Sequence, residues 1–92
     1  MFGGVRMIPR IKTIKPLDDY MLYVEFKDGK NGFYDVQEDI EQIPQFEDLK
    51  TIKGTFESVQ VDESGTCVFW TDVIDLPSDA IYESLKEINI NE

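Results

Sequence analysis

The chain has no histidine. That removes the commonest general base, every Ser-His and Cys-His nucleophile pair, and the most frequent transition-metal ligand. It has a single cysteine, Cys67. No internal disulfide can form, and no cysteine cluster can hold a metal. A secreted domain this small usually carries disulfide bridges, so a reducing, cytoplasmic setting is expected. No apolar run approaches the roughly 18 residues of a spanning helix, and MFGGVRM is too short and polar for a signal peptide, so no membrane association is expected. The glycines at 3, 4, 29 and 32 match neither a phosphate loop nor a dinucleotide fingerprint.

Positive charge is the next scarcity. Nine Lys and Arg stand against nineteen Asp and Glu, for a formal net charge of −10. The imbalance is uneven: residues 1–30 carry six basic and four acidic side chains, residues 31–92 three and fifteen. Phosphate-backbone binding draws its affinity from Lys and Arg displacing counterions. Direct nucleic-acid binding is therefore not expected, whereas a small basic protein partner is compatible with the charge.

Ninety-two residues, 41% of them apolar, suffice for one domain with one modest core. Residues 1–7 read as a flexible leader with Met7 as a second possible start, 8–88 as a single domain, and 89–92 as a frayed end. Ile8 to Leu17 predicts a short edge strand interrupted by Pro16, followed by a turn at Asp18-Asp19. Tyr20 to Lys27 alternates, with Leu22, Val24 and Phe26 on one face. Asp28-Gly29 then predicts a type I′ hairpin back through residues 32–36, completing a three-stranded meander.

Pro44 breaks an acidic helical turn, and Phe46, Leu49 and Ile52 mark a short helix closed by a left-handed Gly54. The stretch VQVDESGTCVFWTDVIDLPSDAIYESL predicts a second hairpin, with Cys67 to Thr71 as a central strand. A last helix opens at Pro77-Ser78-Asp79 and buries Ile81, Leu85 and Ile88. The expected fold is α+β: a mostly antiparallel sheet of about five strands with two or three helices, the last packed on the sheet.

No residue pattern points to catalysis, to a cofactor or to a bound metal, and Cys67 is expected to be a half-buried structural thiol. The candidate interaction surface comprises Trp70, Asp72, Asp75, Tyr82 and Asp62, with aromatic side chains of the kind found at interfaces, although core packing is the more expected place for Trp70. An alternative is a small-ligand or divalent-cation site, if the second hairpin brings Asp62 and Asp72 together beside Asp75.

The register IPRIKTIKPLDDYMLYVEFKDGKNGFYDV, PQFEDLKTIKGTFESVQVDESG and VFWTDVIDLPSDAIYE resembles a small bacterial family, domain of unknown function 2442 (DUF2442). The resemblance spans about Ile8 to Glu87 and is most specific at Trp70, Asp72, Ile74-Asp75-Leu76, Pro77 and Tyr82. It implies a compact α+β domain without an assigned reaction. It also implies frequent encoding beside another small protein, in arrangements like toxin–antitoxin pairs. Some members carry a helix-turn-helix domain; none is expected here after Glu87. The missing catalytic chemistry, the acidic charge and the resemblance together lead to the expectation of an antitoxin-like or regulatory interaction module that is not an enzyme.

Overall fold

The computed structural model describes residues 8–87. The expectations for the leader, for Ile88 and for the chain end lie outside the described residues. The order of elements is β1 (Ile11–Pro16), β2 (Met21–Phe26), β3 (Asn31–Asp35), α1 (Gln37–Gln42), α2 (Asp48–Thr51), β4 (Gln60–Val61), β5 (Cys67–Thr71), β6 (Ile74–Pro77), α3 (Ser78–Ser84) and β7 (Lys86–Glu87). This is an α+β fold, with the strands divided into two antiparallel sheets, β1-β2-β3-β7 and β4-β5-β6.

The alternation in β2 sets the inner face of the larger sheet. Leu22, Val24 and Phe26 are all buried, while Met21, Tyr23 and Glu25 between them are half-exposed. β1 is an edge strand, as Pro16 requires, and bulges at Lys12. In the smaller sheet, β5 lies in the centre and sends Val68 and Trp70 inward beside Ile74 and Leu76 of β6. The two inner faces share one core, closed by Ile40, Phe46, Leu49, Phe56 and Ile81.

The turn between β4 and β5 is the seam between the sheets. The amide of Ile11 donates to the Gly65 carbonyl at 2.8 Å, and the Arg10 guanidinium donates to the Ser64 carbonyl at 2.8 Å. Ser78, fully buried, completes the seam: its hydroxyl donates to the Pro9 carbonyl at 2.7 Å and its amide to the Thr66 carbonyl at 2.9 Å.

Three local expectations are corrected. The β2–β3 connection is not type I′, because Gly29 alone in it has positive φ, at 100°. The Gly29 amide donates to the Phe26 carbonyl and the Phe26 amide to the Lys30 carbonyl. A type I turn followed by a left-handed glycine gives this three-residue loop. Ile52 does not pack inward; it follows the end of α2 in extended backbone and is 53% exposed. Leu85 lies beyond α3, where the chain is extended and leads into β7, which pairs Lys86 with Phe33. Gly54 does take the left-handed conformation, at φ 88°.

Candidate functional site

The five residues singled out from the sequence do not form one surface. Trp70 is 7% exposed. Its ring stacks on Phe56 at 6.2 Å and meets Phe46 edge-on at 6.0 Å, and its indole N–H donates to the Phe56 carbonyl at 3.1 Å. Both the apolar body and the polar handle of this side chain are spent inside the fold.

Tyr82 is half-buried and fastens α3 to the β2–β3 hairpin. Its hydroxyl donates to Asp28 Oδ2 at 2.6 Å, and its ring packs edge-on against Phe26 at 4.8 Å. The Lys30 ammonium lies 4.1 Å from the ring centroid and donates to the Tyr82 carbonyl at 3.0 Å. The Tyr82 hydroxyl, then the Lys30 amide and ammonium, hold the Asp28 carboxyl below its ordinary value.

Asp62 organises its own loop. Oδ1 accepts from the amides of Thr66 at 3.0 Å and Cys67 at 3.2 Å, and Oδ2 from the Ser64 hydroxyl at 3.0 Å. Desolvation is the largest single influence on this carboxyl and raises it. The bonds from Ser64, Thr66, Cys67 and Gly65 together outweigh it and leave the group below its ordinary 3.8. Asp62→Ala is therefore expected to lower the melting temperature at pH 7. A depressed folded-state value contributes stability that is complete above the unfolded value, near pH 4. That contribution is lost as pH falls through the folded value, so thermal melts of the variant and wild type should converge in acid.

Asp72 and Asp75 are exposed. Asp62 pairs with Cys67 at the start of β5, while Asp72 follows its end, so they lie at opposite ends of a strand roughly 16 Å long. Asp62 and Asp75 do approach one common group, the Cys67 thiol, which burial first and then these two charges push up. A raised thiol is a poor nucleophile at neutral pH. Among the described residues, no three His, Cys, Asp or Glu side chains are grouped to hold a metal ion.

What sequence reasoning did not single out is the acidic helical segment. From Asn31 to Leu49 there are six carboxylates and no cation. Ile40, Phe46 and Leu49 anchor this stretch in the core, and Glu38, Glu41, Glu47 and Asp48 are left exposed. Asp39 is turned to structural use, accepting from the buried Tyr34 hydroxyl at 2.7 Å; burial raises both groups. The signal was present in the sequence as the charge imbalance after residue 30.

Beside this segment, two grooves flank the Leu17–Tyr20 loop. A groove of about 780 Å³ lies between the Leu17–Tyr20 loop and residues 49–54, and a second of about 570 Å³ lies between that loop and Phe33. They meet on Leu17 and Asp18. The loop is held in an uncommon shape, with Asp19 at φ 61° and Tyr20 at φ 60°, both left-handed. The Leu17 amide donates to the Met21 carbonyl, the Val36 amide donates to the Tyr20 carbonyl, and the Tyr20 ring meets Phe56 edge-on at 5.3 Å. These contacts offset a backbone cost of about 1–2 kcal/mol per residue.

No helix among the described residues is long and apolar enough to cross a membrane. The model of the family described as "Protein of unknown function (DUF2442)" matches residues 11–87. Neither the curated proteins nor the solved structures contain a match.

Proposed function

The chain belongs to the DUF2442 family, and we propose that this member is a non-catalytic interaction module that binds a small basic protein. The observation that carries this reading is the set of exposed carboxylates Glu38, Glu41, Glu47 and Asp48, carried on a segment whose apolar side chains anchor it to the core. A fixed set of like charges raises the local concentration of an oppositely charged partner and speeds its encounter. It repels a phosphate backbone, so any DNA-linked role would have to run through the partner. A bacterial, cytoplasmic, antitoxin-like or regulatory role accords with the single reduced thiol and the two-protein arrangements that the family resemblance implies.

The test is capture from an extract of the source cells, using the full chain as bait at low and moderate salt, with mass spectrometry of what is retained. One small basic protein, held stoichiometrically and released by salt, is the expected result. A well-folded bait that retains none contradicts the reading. The cation-binding alternative has no geometric support: Asp62 is committed to its loop and Asp72 stands at the other end of β5.

A further inference from the structure

We propose that the two grooves flanking the Leu17–Tyr20 loop are where that basic partner is anchored, by a segment presenting apolar side chains to both grooves and a cation to Asp18 and Asp19. This rests on the reading above and adds the place and the pattern of the contact. Of the five exposed large hydrophobic side chains among the described residues, Leu17 (40%), Phe33 (36%) and Ile52 (53%) line these two grooves. Clustered exposed apolar side chains with a polar rim mark interaction sites, whereas scattered ones do not.

Charge selects the occupant. Asp18, shared by both grooves, and Asp19, beside it in the larger one, are exposed, and their carboxylates make no hydrogen bond or ion pair among the described residues. Glu57 also lines the larger groove, and the acidic set ends at Asp48, immediately before that groove's wall. Lys50 and Lys53 stand on the same wall, Lys50 with its ammonium 5.9 Å from the Tyr20 ring centroid. They disfavour a cation there, so the partner's positive charge is directed to Asp18 and Asp19 and its apolar side chains to Ile52 and Leu17. The occupant is thus an amphipathic basic segment, in keeping with interfaces whose centre is apolar and whose rim is charged.

The experiment repeats the capture from source-cell extract with three baits besides wild type: Leu17→Asp, Ile52→Asp and, as a control outside the grooves, Val73→Asp. Val73 is 63% exposed, so all three substitutions are at the surface, and far-UV circular dichroism with thermal melts establishes that each bait is folded. The expected result is at least tenfold less basic protein on Leu17→Asp and Ile52→Asp, with Val73→Asp retaining it as wild type does. If wild type retains it and the two groove variants retain it equally, the grooves are not the anchor while the function stands. Equal loss on Val73→Asp assigns the effect to added charge and overturns the assignment to the grooves. If wild type retains no basic protein, the function itself fails, and the anchor with it.

Discussion

Trp70→Ala is expected to remove a large share of the protein's stability. The substitution empties the space between Phe46 and Phe56 and strands the Phe56 carbonyl that the indole N–H satisfies. Large-to-small aromatic replacements in a core cost about 3–5 kcal/mol. A domain of this size has only about 5–15 kcal/mol of total stability. At roughly 4–8 °C per kcal/mol for a small domain, the melting temperature should fall by about 12–40 °C. Trp70→Phe separates the two contributions, because it keeps most of the apolar bulk and removes only the donor. It should cost about 1–3 kcal/mol, the range for a buried acceptor left unpaired. Denaturant titration followed by circular dichroism measures both. An alanine variant as stable as wild type would show that the ring does not hold the two sheets' common core.

The second large effect is expected at the seam. Gly65 has φ 77°, and a Cβ there would lie 3.2 Å from the Ile11 carbonyl oxygen and 3.3 Å from the Ile11 nitrogen. Both neighbours are backbone in the strand that Gly65 itself binds, so neither can swing aside. Gly65→Ala should cost about 2–4 kcal/mol, from left-handed strain together with overpacking. Gly29→Ala is the matched control: its φ is 100° but nothing lies within 4 Å of the added carbon. It should cost only the conformational share, about 1–2 kcal/mol. Hydrogen exchange adds a local readout, since the Ile11 amide bonded to the Gly65 carbonyl should lose protection in Gly65→Ala and keep it in Gly29→Ala. Equal destabilisation by the two substitutions would mean that the turn does not press on β1.

These two positions also show what could be read from the sequence. Period-2 alternation identified Leu22, Val24 and Phe26 as an inner face because that signal is local and repeats. Gly54's left-handed backbone was legible from its place after a helical run, although α2 ends at Thr51 and Gly54 sits in the turn beyond it. The contact of Gly65 with Ile11 joins residues 54 apart, and the sequence marks only a turn, not what the turn touches. Ser78 carried no signal for burial, because its partner is the Pro9 carbonyl, 69 residues away. Tyr20 carried none for left-handed backbone, since a bulky residue adopts it only where surrounding contacts impose it.

Three of the candidate-surface residues turn out to be engaged within the fold, for a related reason. Trp70, Tyr82 and Asp62 have polar groups that look available in sequence, yet each finds a partner within the fold. The charge imbalance after residue 30 does map onto exposed side chains, Glu38, Glu41, Glu47 and Asp48.

The most direct test of the central claim is the capture experiment run side by side with wild type and a neutralised bait, Glu38→Gln, Glu41→Gln, Glu47→Gln and Asp48→Asn. All four sites are exposed, where single changes usually alter stability by less than about 0.5 kcal/mol. Wild type should retain one small basic protein at low salt, and the neutralised chain, folded to the same extent, should retain little of it. Equal retention by both, or none by either, would contradict the proposal that these carboxylates bind a basic partner.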